Sequence, residues 1–415
     1  MRPRRIGHRP LAGSLLAHTL GLAATLALAP APAWADRIGA SSLPKAAPPL
    51  KGRISEDGAT RALVVSTGAG ATTNAGPTLL ERPSAFIDHG LAYAQIVKSP
   101  FGRWELTASL NDRRYTNFSD ADTLSGAASA SLTHSEEASE TRLTFAVSSG
   151  RDVEERLTES SLVLETTASK GAVRPYVRAE AAYLDFRDLP GTPDPFQSQD
   201  DRDRLSARIE GGLRLTLSDD VTLKAGAGAD VKRYRAATDD FGVARDSISV
   251  FPLIGIAYAG ERATLRAVYA PFLRMYRERL FPDAWKHGYR IEGQVKLATG
   301  LEAFGAARYG FEETDFLIAS AAYERVVVAG LTLAIGKGSL SFAASRTWRD
   351  YDGLGLLAIA RADEKTEVGL SGEWPLSESL SLNSRVSYLA YESSFGFVET
   401  DALTASLGLS YVVTQ

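Results

Sequence analysis

Arg204, Arg208, Glu210 and Arg214 stand at even positions. Leu205, Ala207, Ile209, Leu213, Leu215 and Leu217 stand at the odd positions around them. Successive side chains of a strand point to opposite faces, so this segment has one charged face and one oily face. The same parity gathers Lys224, Asp230 and Lys232, then Arg262, Arg266 and Arg274, then Arg290, Glu292, Gln294 and Lys296, then Glu302 and Arg308. On the inner wall of a closed sheet these groups would line a polar pore. Rings of Arg and Lys select anions, so the predicted pore favours anionic or polyhydroxylated solutes. A second reading stays open: the same Arg and Glu pair across strands and simply fill the interior.

Other chemistry finds little support. Nucleophilic catalysis needs a His with a Ser or Asp partner. Beyond residue 35 the histidines are His89, His134 and His287. Asp88 and His89 are neighbours, so on a strand they face opposite ways. A hydrolase built on His89 or on His287 near Asp283 is the alternative function, and a surface-structural barrel without transport is a third. Asp200, Asp201, Asp203, Asp239 and Asp240 lack the ordered spacing and terminal Glu of a calcium loop and read as solvated loop acids. No metal site or cofactor is predicted. The chain has no Cys, which excludes disulfide staples and thiolate metal centres.

The charged groups need elements to hold them. Residues 60–415 repeat a strand followed by a turn. The predicted units are 60–72, 86–98, 102–115, 122–134, 139–150, 156–168, 172–187, 202–217, 220–235, 246–259, 261–277, 287–298, 300–313, 319–335, 338–351, 358–372, 378–393 and 400–414. That makes 18, with 16 the alternative if the two weakest units fail; 60–72 is the weakest. Short turns rich in Gly, Pro, Asp and Ser alternate with longer connections such as 188–201, 236–245, 278–286, 314–318, 352–357 and 394–399. The turn from His134 to Glu140 is longer than this rule expects. Trp104, Tyr115, Tyr183, Tyr234, Tyr258, Tyr276, Tyr289, Trp348, Tyr351 and Tyr391 fall near strand ends, where amphipathic rings suit a membrane interface.

A leader precedes the repeats. Arg2, Arg4, Arg5 and Arg9 form a basic start, Leu11 to Ala29 an apolar stretch, and Ala33-Trp34-Ala35 a cleavage site. Residues 1–35 therefore read as a signal peptide cut after Ala35. Its four Arg take the formal net charge from −4 to −8, which is no nucleic-acid-binding balance. Residues 36–59, Pro- and Ala-rich without periodicity, read as a flexible periplasmic tail. With 44% hydrophobic and 23% charged residues, the remainder is not a disordered chain. Export, serial hairpins and a charged inner parity together imply an all-β, up-and-down antiparallel barrel in the bacterial outer membrane. A β-sandwich would have to bury the charged face, at high cost.

The last strand carries Ser406, Gly408, Tyr411 and Val413 in the order polar, Gly, aromatic, hydrophobic, which reads as an assembly signal for the barrel-insertion machinery. An exposed strand edge can template onto another sheet. The chain closes this pattern at Val413 and adds Thr414-Gln415. With this signature, the leader and strand ends such as Arg113-Arg114-Tyr115, Arg233-Tyr234-Arg235 and Arg349-Asp350-Tyr351, residues 60–415 resemble the β-barrel porins of Gram-negative bacteria, of the kind common in alphaproteobacteria. The resemblance implies an outer-membrane channel of undefined solute, with no catalytic residues. The partners expected are outer-membrane lipids and lipopolysaccharide, the barrel-assembly machinery and small polar solutes.

Overall fold

The computed structural model describes residues 59–75, 82–151, 155–168, 170–188, 202–238, 243–278, 283–312, 319–353, 361–394 and 399–414. The leader, almost all of the 36–59 segment and most of the predicted long loops lie outside the described residues. The strand segments are β1 Ala59–Thr72, β2 Ser84–Ser99, β3 Gly102–Tyr115, β4 Thr123–Ser135, β5 Ser139–Arg151, β6 Glu155–Ala168, β7 Val173–Asp188, β8 Arg204–Thr216, β9 Val221–Tyr234 and β10 Ser247–Ala259. They continue as β11 Ala263–Tyr269, β12 Phe272–Tyr276, β13 Ala284–Lys286, β14 Tyr289–Ala298, β15 Leu301–Glu312, β16 Ala319–Ile335, β17 Gly338–Gly353, β18 Arg361–Pro375, β19 Leu380–Ser393 and β20 Thr400–Thr414. Apart from β11 with β12 and β13 with β14, consecutive segments pair antiparallel, and β1 pairs with β20 from Ala62↔Thr414 to Thr72↔Thr404. The sheet is therefore closed. Both β11 and β12 pair with β10, and β13 and β14 pair with β12 and β11 in turn. The two couples are single staves, each interrupted once, and the barrel has 18 staves.

The faintest predicted strand, 60–72, is thus β1, and the alternative of 16 does not hold. Alternation is clearest in β10, where buried Ser247, Ser249, Phe251, Leu253 and Gly255 alternate with exposed Ile248, Val250, Pro252, Ile254 and Ile256. The exposed apolar set faces outward on most staves, as Leu205, Ile209, Leu213, Leu407, Leu409 and Tyr411 illustrate. A water-soluble protein would hide such residues; a lipid-facing barrel presents them. No helix of the described residues is long and apolar enough to cross a membrane.

The interrupted staves correct two expectations. The predicted strand 261–277 breaks at Ala270-Pro271, and the predicted loop 278–286 contains β13. The register sets Pro252 of β10 opposite Pro271, and neither has an N–H for the ladder. Gly288 then approaches closely, its carbonyl accepting from Ala270 N at 2.8 Å. The turn after β4 is also tighter than expected: β4 runs to Ser135, β5 starts at Ser139, and Glu136 N donates to Ser139 O at 2.8 Å. Four predicted short turns use Gly at positive φ, at Gly102, Gly171, Gly300 and Gly336, where a side chain would be strained.

At the long-loop end, a 3-10 turn, Ser119–Ala121, follows β3. Arg82 donates two hydrogen bonds to Asp120, at 2.7 and 2.8 Å. That bonding holds the Asp120 carboxyl below its ordinary value of 3.8, with smaller help from backbone hydrogen bonds and the Arg82 charge. A depressed carboxyl stabilises the folded state above its unfolded pKa and loses that contribution as pH falls through the lower, folded value. The tie should therefore persist at mildly acidic pH and release only in stronger acid. Amide exchange around residues 118–122 should show this, and Asp120→Asn should abolish the pH dependence.

Candidate functional site: the charged inner wall

Register and parity place most of the predicted charges on the inner face. Cross-strand pairing puts Arg204, Arg208, Glu210 and Arg214 beside Leu184, Glu180, Arg178 and Arg174 of β7 on one side. On the other side lie Tyr234, Asp230, Gly228 and Lys224 of β9. Glu210 is the hub. Its side chain is 7% exposed. It accepts from Lys224 Nζ at 2.5 Å, Arg208 Nη2 at 3.2 Å and the Tyr176 hydroxyl at 3.1 Å. Arg214 instead reaches Glu165 of β6 at 2.5 Å, and Arg178 touches both Glu165, at 3.5 Å, and Glu180, at 3.2 Å. One web of alternating sign therefore spans β6 to β9.

Further round, Arg274 is buried, donates to Ser249 Oγ at 2.9 Å and lies 3.9 Å from Asp230. Glu292 accepts from Arg290 at 2.9 Å and from Arg266 at 3.4 Å. Lys296 donates to the Glu261 carbonyl at 3.2 Å and sits opposite Glu302 in the ladder. Gln294 faces Phe304. Arg308 pairs with Glu324, which also accepts from Arg349 at 2.7 Å. Lys232 lies 5.1 Å from the Phe311 ring centroid. Arg262 departs from the expectation: it lies in the turn between β10 and β11, exposed and outside any strand.

These charges pair across strands, and several stay exposed. The side chains of Arg208 and Arg290 are 45% and 54% exposed. The acidic partners Glu165, Glu180 and Glu324 were not singled out in the sequence, although each has the inward parity. For Glu180 a visible signal was Arg-x-Glu spacing, because residues two apart share a strand face; Glu165 and Glu324 lack it. Arg178–Glu180, Arg208–Glu210 and Arg290–Glu292 all pair in this way.

Small and large residues are matched on the wall. A Cβ on Gly212 would lie 2.1 Å from Ala225 O, and one on Gly226 would lie 2.8 Å from the Tyr176 hydroxyl. The facing pair Gly212 and Gly226 leaves room for the Tyr176 ring, with Lys224 Nζ 4.5 Å and Arg214 Cζ 5.0 Å from its centroid. Phe251 lies likewise against Gly228, with Arg208 4.5 Å above its ring.

The predicted aromatic ring divides by parity. Trp104, Tyr183, Tyr258, Tyr289 and Trp348 face outward. Tyr115, Tyr234, Tyr276, Tyr351 and Tyr391 share the parity of the inner charges and face inward, as the hydrogen bonds from Tyr351 and Tyr391 to buried Asp363 illustrate. Of the histidines, His89 faces outward and bonds Thr67 Oγ1 at 3.2 Å, while Asp88 turns inward to Arg113. His287 bonds the Tyr269 hydroxyl at 2.7 Å, and His134 bonds Phe101 O at 2.8 Å and Glu136 at 3.2 Å at the short-turn end. Asp203 is 1% exposed and accepts from Phe186 N at 2.7 Å; Asp200, Asp201, Asp239 and Asp240 lie outside the described residues. Among the described residues, no three His, Asp or Glu side chains gather as a metal site.

In β20, Ser406 and Gly408 face inward and Tyr411 and Val413 outward. Gly408 sits opposite Gly68 at the closing seam. A Cβ on Gly408 would lie 2.8 Å from Thr67 O.

No family model matches the sequence, and no curated protein matches it. Among solved structures, the chain is similar to OpdK of Pseudomonas aeruginosa, solved with vanillate, at 11% identity and TM-score 0.47 over 86% of this chain and 99% of that one. It is similar to OccK8 (OprE) of Pseudomonas aeruginosa at 11% identity and TM-score 0.46 over 86% and 98%. It is also similar to the siderophore receptor PirA of Acinetobacter baumannii at 7% identity and TM-score 0.47 over 87% and 81%. At such identities the likeness is one of fold alone.

Proposed function

We propose that the chain is an outer-membrane channel for passive passage of small polar or anionic solutes. The observation that carries this reading is the contrast between faces. The exposed outer surface is apolar on most staves of the closed cylinder, and the inner surface carries paired, partly wet charges. An Arg or Lys on the lipid face would cost about 2–4 kcal/mol at the bilayer midplane; in a watery lumen it costs little. On the wall of β8 and β9, Arg204, Arg208, Arg214, Lys224 and Lys232 outnumber Glu210 and Asp230, which favours anions. In this reading residues 1–35 direct export and are removed after Ala35, residues 36–59 form a flexible periplasmic segment, and the short turns face the periplasm. The β20 signature serves the assembly machinery, and outer-membrane lipids and lipopolysaccharide surround the barrel.

Planar-bilayer recordings of refolded protein test this. Discrete conductance with an anion-favouring reversal potential in a salt gradient is the expected result. Absence of conductance would remove the channel, and cation preference would remove the anion claim. Arg208→Glu should lower the anion-to-cation permeability ratio about fivefold, the equivalent of roughly 1 kcal/mol of Coulomb energy in a wet lumen. The new carboxylate would stand opposite Glu180 and Asp230, so heat-modifiable gel migration checks folding, and Arg208→Gln should shift the ratio in the same direction by less.

A further inference from the structure

The ladder between the stave of β13 and β14 and its neighbour β15 ends at Tyr289↔Tyr309, although β15 continues to Glu312 and β13 begins at Ala284. Beyond that point the wall separates. The side chains at the split have left their expected sides. Register gives Phe311 and Tyr323 the outward parity, shared with Arg325 and Val327. Phe272, Arg274, Lys232 and Lys286 have the inward parity. Yet Arg274 Cζ lies 3.2 Å from the Phe311 ring centroid, Lys232 Nζ 5.1 Å from the same ring and Lys286 Nζ 4.3 Å from the Tyr323 ring. Phe272 meets Phe311 edge-on at 6.3 Å, and Tyr323 is 3% exposed.

Lys232 is on β9, four staves from β15. At about 4.8 Å per stave that is on the order of 19 Å around the wall. Contact between inward groups of β9 and β12 and outward groups of β15 and β16 requires two layers. The strand ends at Phe311 and Tyr323 must lie inside the wall formed by β9, β10, β12 and β13, their outward-parity rings against its inner face.

We infer that the paired, inward-set ends of β15 and β16 at Phe311 and Tyr323 are the constriction of the lumen, held by the cation–π and apolar contacts of those two rings. Their other face carries Glu324, gripped by Arg308 and Arg349, so the narrowing is charged. The role as a constriction rests on the channel reading; the placement of the strand ends does not.

The absence of native cysteine gives a clean test of placement. Full-length protein carrying Lys232→Cys with Phe311→Cys, refolded and checked by heat-modifiable gel migration, is treated with a bismaleimide too short to span four staves. Cross-linking supports the inward placement; its absence in folded protein overturns it. In planar bilayers, Phe311→Ala with Tyr323→Ala should raise single-channel conductance about twofold or more, because the barrier is released. Where the double variant does not fold, Phe311→Leu should shift conductance in the same direction by less. Unchanged conductance in a conducting, cross-linkable barrel overturns the constriction. Silence from both proteins, with the cross-link formed, removes the channel and its constriction together and leaves the placement of the strand ends standing.

Discussion

Glu210→Gln is expected to cost the folded barrel about 3 kcal/mol. Glu210 is the single carboxylate shared by Lys224, Arg208 and the Tyr176 hydroxyl, and its side chain is 7% exposed. Breaking a buried ion pair from one side typically costs about 3–5 kcal/mol, because the partner charge remains buried without compensation. The half-exposed side chain of Arg208 can turn to water, which places the expectation at the lower end. Urea titration of the refolded barrel, followed by tryptophan fluorescence, should show a lower midpoint at unchanged slope. The same variant should become more anion-selective, since Gln leaves the local cations unopposed. A stable variant with unaltered selectivity would mean that Glu210 neither supports the wall nor tunes it.

Gly212→Ala should be nearly as damaging, although it adds one methyl group. The added carbon would lie 2.1 Å from Ala225 O and 2.6 Å from Gly226 Cα, both backbone atoms of β9. Neither can swing aside, so the β8–β9 ladder must part where Tyr176 rests and donates to Glu210. Overpacking of this kind costs about 1–3 kcal/mol, and the backbone clash argues for the upper part of that range. Gly369 provides the control. Its added carbon would meet nothing nearer than 3.8 Å, so Gly369→Ala should stay within about 0.5 kcal/mol of the parent. Equal midpoints for the two variants would show that the β8–β9 wall yields more readily than its geometry implies.

The stave count, the closed sheet and the inner parity of most charges were legible because a period of two is local: Leu205 to Leu217 reports its own faces without reference to any partner. The weak unit 60–72 was legible for the same reason. What stayed hidden depends on register between staves. That Arg214 reaches Glu165 on β6, two strands away, and not Glu210 on its own strand follows from the register of β6, β7 and β8, which no single segment encodes. The break at Ala270-Pro271 had a visible cause in Pro271, but its alignment with Pro252 appears only once β10 and β11 are paired. Parity alone also misplaces Phe311 and Tyr323, whose outward positions are overridden by the splitting of the wall above Tyr289↔Tyr309. Five of the ten rings at strand ends, all of them tyrosines, face inward, because an end position says nothing about which side a ring takes. Tyr115 and Tyr391 are inward for reasons of phase.

The seam between β1 and β20 constrains how the molecule comes into being. Thr404 donates to Thr72 across it, two residues 332 apart in sequence. Joining such distant partners carries a large ordering entropy with no nearby contact to offset it early. Until synthesis delivers β20, both flanks of the nascent sheet remain unpaired edges, and its apolar exterior stays uncovered. Fastening should therefore come last and slowly, and a copy truncated before Thr400 should aggregate instead of forming a smaller ring.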